Sequence, residues 1–232
     1  SVLLVVHSYT CLMLHEPYFR TDLGRIMHAD GLKVMESLSP ESVDLVLTSP
    51  PFDLISEKEY GNRRGDEYLA WMSEFGRHVV RALKPSGSFV LDLGGTWTKG
   101  KPTRNLYQFR LLIHLVDEIG FHLAQDFYWW NPARLPTPAA WVTVRRIRVK
   151  DAINTVWWLS KTPYPKADNR RVLVEYSRGM RTLFRDGYNA GRRPSGHDIG
   201  QAFHRDNGGA IPPNLLAIAN TSSSSSYHAY CK

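Results

Sequence analysis

Leu45-Val46-Leu47-Thr48-Ser49-Pro50-Pro51-Phe52 decides how the rest of the chain is read. An apolar run that includes β-branched Val43 and Val46 enters a Ser-Pro-Pro-Phe tetrad. Val43, Leu45, Val46 and Leu47 read as a strand buried in a parallel sheet. Pro50 and Pro51 remove two backbone donors and fix φ at both positions, so the strand stops there. The result is a stiff turn at the carboxyl end of a strand, where open α/β sheets bind ligands. Ser49 offers a hydroxyl at that turn and Phe52 a flat apolar face. On these residues alone, an ordinary strand-ending turn accounts for the pattern equally well.

Outward from the tetrad the chain alternates strands and helices. Residues 25–31 read as a short strand ending in an acidic turn at Asp30, and Leu32, Met35 and Leu38 follow at helical spacing. Asp30 is either a helix N-cap or a carboxylate that accepts hydrogen bonds from a nucleoside. Over 66–83, Tyr68, Trp71, Met72, Phe75, Val79, Val80 and Leu83 form the stripe of an amphipathic helix, and these aromatics belong to the core rather than to base stacking. Lys84-Pro85-Ser86-Gly87 reads as the turn ending it, and 88–93 as the next strand, followed by Gly94-Gly95. A second helix spans 107–120 and a strand spans 121–130, halted by Asn131-Pro132. Residues 152–160 form a further buried strand. This alternation predicts an α/β fold with a parallel, doubly wound sheet. From Thr162 proline, glycine, asparagine and arginine dominate and periodicity fades, so 162–220 reads as an irregular insert with short helices such as 172–184. The division expected is a catalytic α/β portion at 1–161, a segment at 162–220 and a serine-rich, linker-like tail at 221–232.

The whole-chain balance fits this picture. The 232 residues suffice for one sizeable α/β domain, with or without an insert, and a net charge of +7 suits a polyanionic partner. Cys11 and Cys231 are the two cysteines, far apart, so neither a disulfide framework nor a metal cluster is expected, and a reducing compartment suits the chain. No stretch reaches the ~20 apolar residues of a membrane span, and the opening Val2-Leu3-Leu4-Val5-Val6 lacks the basic start of a signal peptide.

Thr48-Ser49-Pro50-Pro51-Phe52 resembles the catalytic tetrad of DNA methyltransferases that modify exocyclic amino groups, and Ser in the first tetrad position is similar to the cytosine-N4 enzymes. Glu59-Tyr60-Gly61-Asn62, Leu83–Val90 with its Lys84-Pro85-Ser86-Gly87, Asp126-Phe127-Tyr128-Trp129-Trp130-Asn131-Pro132, the 150–158 run through Asn154-Thr155-Val156-Trp157-Trp158, and Arg193-Pro194-Ser195-Gly196-His197-Asp198-Ile199-Gly200 resemble, in order and spacing, the circularly permuted β-group of PvuII-type cytosine-N4 methyltransferases. The resemblance runs from about Pro17 to the last residue. It implies a Rossmann-like methyltransferase sheet with a target-recognition insert at 162–220. The methionine-binding Phe-x-Gly-type loop, which follows the recognition segment in this group, finds no counterpart up to Lys232. The sheet is therefore expected to be incomplete, with an open apolar edge. A second chain or a further C-terminal segment would supply the main cofactor pocket.

The resemblance also implies the chemistry. The cofactor is S-adenosylmethionine, no metal is expected, and the partner is double-stranded DNA with no membrane. The setting is the cytoplasm of a bacterium at the nucleoid, or the nucleus of a eukaryote. A cytosine N4 amine is a weak nucleophile because its lone pair is delocalised into the ring. Ser49 Oγ and the carbonyl of Ser49 or Pro50 would accept its N–H groups, Pro50-Pro51 would hold those acceptors in place, and Phe52 would stack on a base swung out of the duplex. Neither cysteine lies near the tetrad, which argues against a covalent adduct. Asp30 and Ser49 are the cofactor-side candidates. The strand-Asp-x-Gly-Gly pattern at Asp92 looks like a methionine-binding turn, but its place after the tetrad gives Asp92 a substrate-side role; direct cofactor contact and a structural turn are the alternatives.

The DNA-contact candidates are Arg63 and Arg64 on a polar loop at 53–65 that also carries Lys58, then Lys99, Lys101 and Arg104, the run Arg145, Arg146, Arg148 and Lys150, and Arg193 with His197. The loop reads as a lid or as a solvated loop. The 145–150 run reads as a strand whose one face tracks the DNA backbone, or as a solvated face. Arg192, Arg205 and Asn207 are further side chains of base-reading type. A catalytically incomplete DNA-binding module and an adenine-N6 methyltransferase are the competing readings.

Overall fold

The structure is a computed structural model that describes residues 17–53, 63–187, 191–199 and 205–219. Both cysteines, the opening apolar run, most of the 53–65 loop with Lys58, and the serine-rich tail lie outside the described residues. The chain divides into two compact units, one of 1–166 with 215–232 and one of 167–214.

The first unit opens with β1 (Phe19–Arg20) paired antiparallel to β2 (Arg25–Ile26). Helix α1 (Gly31–Ser37) follows and buries Val34 and Met35. Strand β3 (Val43–Thr48) leads into the Ser-Pro-Pro-Phe turn. Helix α2 (Gly65–Ala82) buries Tyr68, Met72, Phe75, Val79 and Ala82, the stripe expected from their spacing. Strand β4 (Leu83–Leu93) starts where α2 stops. Its register against β3 jumps from Val43↔Leu83 to Leu45↔Ser88, so the expected turn at 84–87 is a bulge inside the strand. Lys84 spans that bulge to Asp44, with Nζ 2.7 Å from Oδ2. Helix α3 (Tyr107–Asp117) buries Tyr107, Leu111 and Leu115, and Gly120, at φ +89°, completes the turn into β5 (His122–Trp130).

Strand β6 (Ile153–Ser160) corrects the expectation of an all-parallel sheet. β3 and β4 are parallel, but β6 lies between β4 and β5 and runs antiparallel to both, as Phe89↔Leu159 and Tyr128↔Thr155 show. The reason is in the connection. A parallel return needs a crossover, usually a helix. Residues 131–152 carry Pro132, Pro136 and Pro138 and form only a short π-helical turn at Ala140–Val144, so the chain turns back along β5. The sheet is mixed, within the expected α/β class.

The second unit is irregular, as its composition predicts. A 3₁₀ turn (Asn169–Val172) precedes α4 (Arg178–Asp186), which starts where Ser177 caps it, Oγ accepting from Met180 N at 3.2 Å. That cap moves the helix beyond the 172–184 expected. Tyr176 packs edge-on against Phe184, with centroids 5.0 Å apart, and its hydroxyl donates to Asp206 at 3.0 Å. β7 (Gly191–Arg192) and β8 (Asp198–Ile199) form a short hairpin. The chain then re-enters the first unit as β9 (Leu215–Ala217), parallel to β5 through Tyr128↔Leu215, and Trp129 Nε1 donates to the Ile218 carbonyl at 2.9 Å. The order of the main sheet is β3-β4-β6-β5-β9.

The core lies on the helix side of this sheet. Phe89, Leu91, Leu93, Leu111, Leu115 and Leu159 have no exposed surface, and Phe121 is buried with them. Phe89 is central, with ring centroids 6.2 Å from Phe75 and 5.5 Å from Phe121. Phe89→Ala is expected to destabilise the fold by about 3–5 kcal/mol, read as a shift of the urea midpoint at constant slope.

Candidate active site

Strand register assembles the site. Thr48 pairs with Leu91 in the parallel β3–β4 ladder, so the next step sets Ser49 beside Asp92. Asp92 pairs with Val156 in the antiparallel β4–β6 ladder, so Asn154 lies one step of the same face towards the start of β6. The carboxyl ends of β3 and β4 and the amino end of β6 therefore meet. There Ser49 Oγ donates to Asp92 Oδ2 at 3.0 Å, and Asn154 Nδ2 donates to Asp92 Oδ1 at 3.4 Å. Arg134 extends the chain of contacts, its NH1 donating to Asn154 Oδ1 at 3.2 Å.

The turn itself is held from below. Ser49 is exposed, Pro50 is buried and Phe52 is half-buried against the core. Phe52 lies over Gly94, where a Cβ would come within 2.7 Å of its Cε2 and 3.2 Å of Asn154 Oδ1. Only glycine allows that approach. Tyr107 donates its hydroxyl to the Gly94 carbonyl. Burial above all, then Tyr68, Asp53 and Asp92, push the Tyr107 phenol far above its ordinary range, so it stays a donor. Burial also raises the Asp92 carboxyl above its ordinary 3.8, and the hydrogen bonds from Ser49 and Asn154 oppose that rise. The ionised carboxylate is a strong acceptor aimed at one hydroxyl.

The structure brings Ser49, Pro50, Pro51, Phe52 and Asp92 together as one turn and its neighbour. It shows Asp30 as the cap of α1, Oδ1 accepting from Leu32 N at 2.8 Å. Residues 145–150 do not form the expected strand. Arg145 ends the π-helical turn and lies over Trp141 at 5.1 Å, and Arg146 has φ +54°. Arg148 donates to the Pro102 carbonyl at 3.0 Å, and Lys150 to those of Pro132 and Arg134 at 3.3 and 3.1 Å. With Arg145 over a ring, Arg148 on the Pro102 carbonyl and Lys150 on carbonyls of the loop, no common strand face forms.

Arg104 pairs with Asp151 at 2.8 Å and lies over the Trp97 ring, whose Nε1 donates to the same Asp151 oxygen at 2.6 Å. Arg63 lies over Trp71 at 5.2 Å, and Arg64 is the N-cap residue of α2. Lys99 and Lys101 are exposed on a turn closed by Thr98 N to Thr103 O at 2.8 Å. In the second unit, Arg193 and His197 close the β7–β8 hairpin through Arg193 N to His197 O at 2.8 Å.

Three participants escaped the sequence reading. Asn154 was legible as a polar residue inside the apolar run 153–159, whereas nothing local marks its partner Arg134. Asp53, 5 % exposed, accepts from Gly65 N at 3.2 Å and Asn105 Nδ2 at 3.4 Å, and so joins the end of the tetrad to the start of α2. Among the described residues no group of three His, Cys, Asp or Glu side chains is arranged to hold a metal ion, and no helix is long and apolar enough to cross a membrane.

A mixed α/β sheet that ends β3 in Ser-Pro-Pro-Phe beside a half-buried carboxylate defines a class, and residues 43–232 match the DNA methylase family; the chain belongs to that family. It is 52 % identical over 220 residues to the type II methyltransferase M.PvuII of Proteus hauseri, covering 94 % of this chain and 66 % of that protein. It is 38 % identical over 157 residues to M.BglII of Bacillus subtilis, covering 67 % of this chain and 41 % of that one. Among solved structures, the PvuII DNA methyltransferase (cytosine-N4-specific) superposes with a TM-score of 0.65 at 46 % identity, over 88 % of this chain and 60 % of that one. The chain thus spans just under two thirds of M.PvuII and less of M.BglII.

Two outcomes are expected from this geometry. Gly94→Ala displaces Phe52 and costs about 1–3 kcal/mol in urea unfolding. Gly95→Ala, whose Cβ would lie 3.2 Å from the guanidinium end of Arg104 and not against a packed ring, costs less. Because the folded state holds the Asp92 proton more tightly than the unfolded state, stability falls as pH rises from 3.8 through the raised value and is level above it. Unfolding free energies of wild type and Asp92→Asn, compared from about pH 3 to about pH 8, are expected to diverge against the wild type across that window alone.

Proposed function

We propose that this chain carries the catalytic and recognition portion of a site-specific DNA cytosine-N4 methyltransferase of a restriction-modification system. The observation that carries the reading is the Ser49–Asp92 hydrogen bond at the mouth of the Pro-Pro turn, with Phe52 beside it.

The target amine enters with two N–H groups and a delocalised lone pair. With Asp92 ionised, the Ser49 hydroxyl donates its hydrogen bond to Asp92 and so turns its lone pairs outward to accept from the amine. The backbone carbonyl at Ser49 or Pro50 takes the second N–H. Two fixed acceptors favour a tetrahedral nitrogen with a localised lone pair, and the proline-stiffened turn supplies that orientation in advance. Phe52 presents an apolar face for stacking, which suits a base removed from the duplex. S-adenosylmethionine, when bound, supplies an electrophilic methyl group. The residues of this chain that fit it are the Ser49 turn and Asp30, an exposed carboxylate with one oxygen engaged in capping α1 and suited to nucleoside hydroxyl donors.

That set is only part of a pocket. β3 is a terminal strand of the sheet, and Leu45 and Leu47 on it are 48 % and 60 % exposed. An apolar sheet margin of this kind suits a further α/β portion, on the same polypeptide or on a second chain, that completes the cofactor site. Lys99, Lys101, Arg63, Arg64 and the 145–148 arginines suit DNA phosphates, and Arg193 and His197 of the 167–214 unit suit recognition. A DNA substrate suits a site at the nucleoid of a bacterial cytoplasm, or in the nucleus of a eukaryotic host.

The test is nucleoside analysis of duplex DNA incubated with methyl-labelled S-adenosylmethionine and the chain joined to the part of M.PvuII that it does not cover, which completes the cofactor site. N4-methylcytosine is the expected product. N6-methyladenine, or bound DNA with no methylation, overturns the reading in favour of an adenine enzyme or a binding module. Ser49→Ala is expected to lower turnover by about 10²–10³-fold, as loss of one preorganised charge-stabilising contact does, with DNA affinity unchanged.

A further inference from the structure

We infer that Asn154 and Arg134 are positioning residues for Asp92: Arg134 sets the rotation of the Asn154 amide, and that amide holds the Asp92 carboxylate with its other oxygen turned to Ser49. The inference deepens the reading of Ser49 and Asp92 as the reacting pair and rests on it.

The two oxygens of Asp92 have separate partners. Oδ2 accepts from Ser49 Oγ at 3.0 Å and Oδ1 from Asn154 Nδ2 at 3.4 Å. Asn154 is 7 % exposed, and its remaining oxygen accepts from Arg134 NH1 at 3.2 Å. An asparagine amide has one donor end and one acceptor end. Rotated by half a turn, Asn154 would set its oxygen against the carboxylate and its NH2 against the guanidinium, both repulsive. The cation thus selects the one rotation that makes Asn154 a donor to Asp92.

Arg134 is placed for this by the end of β5. Asn131 is buried, its Oδ1 accepts from Ala133 N at 3.1 Å, and its carbonyl accepts from Arg134 N at 3.2 Å. Asn131 N donates to the Ala152 carbonyl at 2.9 Å, which ties this turn to the start of β6. Lys150 Nζ clamps the turn through the Pro132 and Arg134 carbonyls. The loop between β5 and β6, which sequence reading assigned to DNA contact, therefore also serves the carboxylate.

The consequence is electrostatic. Burial disfavours the ionised carboxylate, and the donors that oppose it are Ser49 and Asn154. Tyr107, neutral and donating to Gly94, is a titratable group that senses Asp92. Arg134 acts through Asn154. Without the Asn154 donor, Asp92 keeps its proton to higher pH, and a protonated Asp92 no longer draws the Ser49 hydroxyl away from the amine.

The test follows the Asp92 carboxyl carbon by NMR in the 232-residue chain labelled at aspartate, with Asp92→Asn identifying the signal. No methyl donor or DNA is needed, so the result stands apart from whether the chain methylates cytosine. Asn154→Ala is expected to raise the Asp92 midpoint by about 0.5 pH unit or more, Arg134→Ala to raise it less, and Arg134→Lys to restore it towards wild type. A midpoint unchanged in Arg134→Ala, a variant of a half-buried loop residue that leaves the core intact, overturns the relay even where Asn154→Ala fails to fold. Equal rises in Arg134→Ala and Arg134→Lys also overturn it, since they report a disturbed loop rather than a lost cation.

Discussion

The parallel pairing of β3 with β4 is the constraint on which the site depends. Alternation along paired strands puts Val46, Phe89 and Leu91 into the core and leaves Leu47, Val90 and Asp92 on the opposite side. The hydrophobic demand on the buried set fixes the register, because a slip of one residue would exchange the two faces. The same register delivers Ser49 to Asp92 without any contact between the two having to specify the fold. Packing energy thus sets a polar geometry that the polar groups alone are too weak to hold.

Three acidic side chains of this unit are buried or half-buried, where isolated charges would be costly, and each has donors around it. Asp92 has Ser49 and Asn154, Asp151 has Arg104 and the Trp97 indole, and Asp53 has Gly65 N and Asn105. The difference among them is the kind of partner. Asp151 is paired with a cation and ties the Trp97–Arg104 turn to the start of β6. Asp92 has only neutral donors, which leaves its carboxylate a stronger acceptor for Ser49. Gly94 joins these features, because its missing side chain lets Phe52 and Asn154 approach the same backbone.

The helices and strands on the helix side were legible because their apolar spacing is a local property. The stripe of α2 and the buried residues of α3 follow from sequence periodicity alone. Strand direction was not legible in this way. Whether 153–160 runs parallel or antiparallel depends on what lies between it and β5, and an apolar strand reads alike in both directions. The arginine run at 145–148 misled for a related reason. Its alternation suits a strand, but a strand needs a neighbour with unpaired backbone groups. Here the Pro102 carbonyl captures Arg148 and the loop's own carbonyls capture Lys150 instead.

By itself the sequence determined the turn: two prolines after an apolar run stop a strand in a fixed conformation, and Ser49 and Phe52 are then presented by covalent geometry. It also determined the family, since several motifs keep their order along the chain. Only the tertiary structure decided which side chains meet that turn. Ser49 and Asp92 are 43 residues apart, Asp92 and Asn154 are 62 apart, and Arg134 reaches Asn154 across 20. Such encounters depend on the order and direction of strands in the sheet, which arise from burying the whole core at once and are written in no single stretch.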